Sequence, residues 1–162
     1  MSEQKRSMLY VTDQGFMDNL QDFLLLIEPH VGLEHDKPFA FNLNEVVRSI
    51  ESDERINPRL LRGIFLHSLR IPLGQDYTGE QPTYNVPDLD ERSTDLYSGG
   101  FRVIELGVEH GLPVLVKSGA PPSALEFART LGAKEVFERP SNERRYREIA
   151  TAIRKILSRN AQ

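Results

Sequence analysis

The chain has 162 residues, enough for one domain with a real core, and its 39% hydrophobic and 27% charged residues exclude a wholly disordered or fibrous protein. A net charge of -4 with no dominant basic run argues against nonspecific nucleic-acid binding, which needs Lys and Arg to displace counterions. Cysteine is absent, which removes disulfides and thiolate chemistry and fits a reducing compartment; with no signal-like or membrane-length apolar stretch, the expected location is cytoplasmic.

The first apolar run, Met8 to Val11, ends at Thr12-Asp13-Gln14-Gly15 and reads as a buried strand entering a loop. Phe16, Leu20, Phe23, Leu24 and Ile27 recur at helical spacing, which predicts a helix over about 16–28, stopped by Pro29. A strand at Pro38–Phe41 and a short helix from about Asn44 to Ser52 follow, punctuated by Asn57-Pro58. Gly63-Ile64-Phe65-Leu66, within Leu60–Leu69, suits a central strand covered on both faces.

Periodicity then disappears from Leu73 to Gly100, so a long loop is expected at about 73–100, anchored at both ends and mobile between about Gln75 and Ser93. Beyond it come a helix at Phe101–His110, a strand at Pro113–Val116, a helix at Ser123–Leu131, a strand at Glu135–Phe137 and a last helix at Asn142–Leu157. Five strands alternating with five helices imply parallel pairing and a doubly wound sheet in one domain. Ligands of such sheets gather beyond the carboxyl ends of the strands, which points to Thr12-Asp13, Asn42, Ser68, Ser118 and Arg139.

The second half carries a resemblance in three ordered segments: Gly100 to Leu106; Gly111 to Ala120, with Lys117-Ser118-Gly119-Ala120; and Leu131 to Pro140, ending Glu138-Arg139-Pro140. These resemble the receiver domain of bacterial two-component response regulators, across about residues 7–157 apart from the long loop. The resemblance implies a flavodoxin-like α/β fold, a five-stranded sheet of order 2-1-3-4-5 with helices on both faces. It also implies which residues hold the positions of the family's phosphorylation site. Thr12 and Asp13 stand where two acids hold Mg²⁺, Ser68 stands for the phosphoacceptor aspartate, Ser118 keeps the hydroxyl, Arg139 replaces a lysine, and Val136 takes the aromatic switch position.

Aspartyl phosphorylation needs a carboxylate nucleophile, a cation held by hard oxygen ligands and a positive charge on the phosphoryl oxygens. With two acids gone, the expectation is a stand-alone pseudo-receiver: not an enzyme, without cofactor or resident metal, acting through a protein partner of unknown identity. The resemblance places the contact face at about 123–159, where a homodimer is also plausible. The alternative is a small-molecule or nucleotide sensor with the 73–100 loop as a lid.

His67 beside Ser68 invites a hydrolase reading, but strand neighbours point to opposite faces, so His67 is expected to pack or to face a helix. His30, His35, His67 and His110 are scattered, and no phosphate-binding glycine loop occurs. The long loop carries Tyr77, Tyr84, Asp88, Asp90 and Tyr97, a candidate partner-binding or lid surface, or an insertion without a role. In the last helix Arg144, Arg145 and Arg147 form either a basic face or pairs with Glu143 and Glu148.

Overall fold

The computed structural model describes residues 6–51, 61–139 and 142–159. Strands β1 (Ser7–Val11), β2 (Phe39–Ala40), β3 (Leu61–Leu66), β4 (Val114–Ser118) and β5 (Glu135–Glu138) form one parallel sheet, in the order β2-β1-β3-β4-β5. The helices are α1 (Met17–Val31), α2 (Leu43–Glu51), α3 (Glu91–Glu109), α4 (Pro122–Leu131) and α5 (Glu143–Leu157). This is the expected flavodoxin-like arrangement. The Asn57-Pro58 punctuation, Leu60 and Pro140 lie outside the described residues. Among the described residues no helix is long and apolar enough to cross a membrane.

Alternation along each strand divides the core into two layers. Leu9, Val11, Ile64, Leu66, Val114 and Val116 face α2, α3 and α4. Met8, Tyr10, Phe65, Leu115 and Phe137 face α1 and α5, where Phe23, Ile27, Ile149 and Ile153 meet them. On the outer side of α5, Arg147 pairs with Glu143 at 2.9 Å, and Arg144 and Arg145 pair with Glu148 at 3.5 and 3.4 Å, so these arginines are ion-paired at the helix surface.

Helix α1 does not stop before Pro29. It runs to Val31 and closes on Gly32 at φ 68, whose N–H donates to Glu28 O. Proline costs a helix the hydrogen bond to the carbonyl four residues back. In the last turn that carbonyl is Leu25 O, on the exposed side of α1, where water can take the partner's place.

The larger departure is at α3, which begins at Glu91 and not at Phe101, so the irregular segment is shorter than the expected 73–100 loop. Asp90 caps the helix by accepting from Ser93 N at 2.7 Å. Its first turns bury Thr94, Ser98, Gly99 and Gly100, small residues that give no apolar period to read. Gly99 and Gly100 are small because the backbone of Leu69 to Ile71 lies against them: Gly100 N donates to Leu69 O at 3.1 Å, and a Cβ on Gly99 would lie 1.8 Å from Ile71 O.

The segment between β3 and α3 is not a free arm. Leu43 N and Asn44 N donate to Pro72 O and Leu73 O, tying its start to α2. Val86 is 2% exposed, and the Tyr84 ring packs edge-on against Phe101 and Phe127 with its hydroxyl donating to Glu105. The expected mobile stretch from Gln75 to Ser93 therefore includes a buried anchor and the start of α3. Sequence periodicity missed it because Tyr84 and Val86 are isolated apolar contacts with no repeat.

Candidate functional site

Two residues beyond the apolar row Tyr10, Phe65 and Leu115, the same face of the sheet turns polar. The β1–β3 ladder continues past both strands, with His67 N donating to Val11 O at 2.8 Å, and this sets Thr12 beside His67. Thr12 Oγ1 lies 3.2 Å from His67 Nδ1, and His67 Nε2 lies 3.2 Å from Lys117 Nζ. Lys117 Nζ also sits 4.9 Å from the centre of the Phe23 ring. Three strands thus contribute a hydrogen-bonded row, Thr12–His67–Lys117, under α1.

An ammonium can only donate, so His67 Nε2 accepts from Lys117 and Nδ1–H donates to Thr12 Oγ1. The imidazole is then neutral. Burial, then the Lys117 charge, then the Arg139 charge hold His67 near a pKa of about 4. Burial and the Arg139 charge likewise lower the Lys117 ammonium.

The row borders a cavity of about 560 Å³ that brings Ser68, Ser118 and Arg139 together. Thr12 is fully buried and does not line it; neither does Asp13, whose Oδ1 accepts from Gly15 N at 3.4 Å and caps a 3-10 turn at Gln14–Phe16. Each serine hydroxyl bends its own loop: Ser68 Oγ accepts from Arg70 N at 3.0 Å, and Ser118 Oγ accepts from Ala120 N at 3.1 Å. Among the described residues Arg139 makes no ion pair with Asp13. Val136 lies in register with Val116 and packs on the α2–α4 side of the core, away from this row.

Of the candidate loop residues, Tyr97 reaches the cavity, but from α3 and not from a loop. Tyr77, Tyr84, Asp88 and Asp90 do not line it. Tyr77 donates to Glu80 O at 2.8 Å, and Asp90 serves as the α3 cap. Among the described residues none from 71 to 96 lines this cavity, while Tyr97 does. His35 is a core residue, its Nε2 2.7 Å from the Tyr10 hydroxyl and its Nδ1 3.1 Å from Leu33 O. Sequence reasoning expected His67 to pack or to face a helix and did not join it to Lys117. The period of two puts each on the same face as a large apolar residue two positions earlier in its own strand, Phe65 and Leu115, but which strands stand side by side is not in that period.

No family model matches the sequence, and no curated protein matches it. Solved structures do match over nearly the whole chain. A response regulator receiver domain from Clostridium thermocellum superposes with a TM-score of 0.58 at 14% identity, covering 94% of each chain. The non-phosphorylated HemR receiver domain from Leptospira biflexa gives 0.55 at 18% identity over 98% of each chain. The fold is the receiver fold. The receiver domain of NtrX from Brucella abortus agrees, with a TM-score of 0.56 at 18% identity, 91% of this chain and 98% of that one. On this receiver fold the carboxyl edge of the sheet holds a row of hydroxyl, imidazole and ammonium.

Proposed function

We propose that this receiver-fold domain is a signalling module that is not phosphorylated on aspartate and works by contact with a protein partner. The observation that carries the reading is the Thr12–His67–Lys117 row, fixed by hydrogen bonds at the edge where receiver chemistry needs acids. By the resemblance, Thr12 and Ser68 stand in the places of a metal ligand and the phosphoacceptor. Lys117 and Arg139 border the same cavity, and their charges oppose a divalent cation. Of the two acids that would hold Mg²⁺ by the resemblance, only Asp13 is left, and it accepts from Gly15 N at the turn it caps. Neither serine has a base positioned to activate it, since His67 is held between Thr12 and Lys117 on the other face of the strand. Without a chemical step, output comes from surface recognition. We place the contact face on α4, β5 and α5, where β5 ends the sheet with an unpaired edge and self-association is also open. The cysteine-free composition fits a cytoplasmic protein.

The test is incubation with acetyl phosphate, and separately beryllofluoride, in the presence of Mg²⁺. The intact mass and the amide spectrum are expected to stay unchanged. A base-labile gain of one phosphoryl group in the mass spectrum would overturn the reading.

A further inference from the structure

The cavity beside the Thr12–His67–Lys117 row has a charge distribution that neither phosphorylation nor protein contact explains. Three cationic side chains border it, Lys117, Arg139 and Arg70, against the single carboxylate of Asp22. Among the described residues none of the three cations makes an ion pair. Lys117 is half-buried, and its Nζ has a neutral imidazole and the Phe23 ring as its neighbours. A half-buried ammonium facing a guanidinium is unfavourable when both must stay charged with no counterion between them. The arrangement is relieved by an anion that sits between the two.

The rest of the cavity is not built for a bare ion. Phe16 and Leu26, on the 3-10 turn and α1, stay 40% and 54% exposed, and with Phe23 they form an apolar wall beside the cations. Large apolar side chains left open next to a cationic seat match a ligand with one charged end and one apolar or ring-shaped part. A cavity of about 560 Å³ lies in the range that holds such molecules.

We infer that this cavity binds a small organic anion, its phosphate or carboxylate head on Lys117 and Arg139 and its apolar part against Phe16, Phe23 and Leu26. The seat uses Lys117, which lies on the α1 side of β4, opposite in facing to Ser118. The inference shares with the contact reading only the absence of an acyl-phosphate cycle. Each can fail alone: phosphoryl transfer is read by mass, and anion binding is read at equilibrium without Mg²⁺.

The experiment is titration calorimetry of the full chain at low ionic strength with AMP and with benzoate, set against adenosine and inorganic phosphate. Saturable binding of AMP or benzoate is expected, with adenosine silent and inorganic phosphate at least tenfold weaker; which anion binds more tightly separates a phosphate head from a carboxylate head. Lys117→Gln and Arg139→Gln should each weaken binding tenfold or more. Arg139 is exposed, so its variant keeps the fold even where Lys117→Gln does not. In the complex, the His67 ring should titrate at higher pH than in the free protein, because the anion offsets the neighbouring positive charges. No binding of either organic anion at millimolar concentration would overturn the inference, as would affinity unchanged in Arg139→Gln. Inorganic phosphate binding as tightly as AMP would remove the apolar part of the proposal.

Discussion

Lys117 Nζ lies within hydrogen-bonding distance of His67 Nε2, at 3.2 Å, so two basic groups share one contact and only one of them carries charge. His67 is the neutral partner. It is 9% exposed, its ring tilts against Phe23 and Phe65, and its Nδ1 is held by a fully buried Thr12.

This pairing makes stability depend on pH. The folded His67 has a pKa of about 4 against 6.5 for an unperturbed histidine, so below about pH 6.5 the unfolded chain binds the proton more readily. Stability is complete above that pH and is lost as pH falls toward about 4. At about 1.4 kcal/mol per pH unit, the loss from His67 is on the order of 3 kcal/mol. The lowered pKa of buried His35 acts in the same direction. Urea unfolding at pH 7 and pH 4 checks the loss. Lys117→Met should raise the His67 pKa seen by NMR and shrink the difference; an unaltered His67 titration in that variant would rule out the Lys117 contribution.

Thr12→Val should destabilise the protein by about 1–3 kcal/mol, because it leaves a buried imidazole N–H without an acceptor. Thr12→Ser keeps the hydroxyl and should cost less. Equal denaturation midpoints for the two variants would show that the Thr12–His67 bond contributes nothing.

At the anchor of the segment after β3, Tyr84→Phe should cost about 1 kcal/mol through the lost hydrogen bond to Glu105. Tyr84→Ala should cost about 3 kcal/mol, since contacts with Phe101 and Phe127 go as well. Limited proteolysis is expected to spare 84–94 and to cut, if anywhere, in the exposed stretch 78–81. Cleavage first between Tyr84 and Asp90 would contradict the packed arrangement.

Alanine at Gly99 or Gly100 is a sharp test of the α3 contact. In an exposed helix, Gly→Ala stabilises by about 1 kcal/mol. Here the added Cβ would lie 1.8 Å from Ile71 O or 2.4 Å from Leu69 O, both backbone atoms that cannot move alone. Each variant should lose about 2–4 kcal/mol in chemical denaturation. A neutral or stabilising result would mean that α3 does not sit against Leu69 to Ile71.

The sequence by itself determined the sheet and most of its helices. Met8 to Val11, Ile64 to Leu66 and Val114 to Val116 are apolar on consecutive residues because both faces of these strands are covered, and α1 and α5 carry a one-sided apolar stripe. The order of the strands was legible only through the resemblance of the later segments to receivers. The start of α3 was not legible, because its buried face is made of Thr94, Ser98, Gly99 and Gly100, which carry no apolar period, and the two glycines lie against the backbone of Leu69 to Ile71.

The site depended on tertiary structure more strongly still. Ser68, Ser118 and Arg139 could be placed at strand ends by counting along the chain, and the cavity does gather them. What each side chain does there was decided in three dimensions. The serines turn back to Arg70 N and Ala120 N, while Thr12, His67 and Lys117, 55 and 50 residues apart, form one row. Such a row exists only when parallel strands settle into register, since register sets which side chains on neighbouring strands stand side by side, and no local pattern within one strand specifies that pairing.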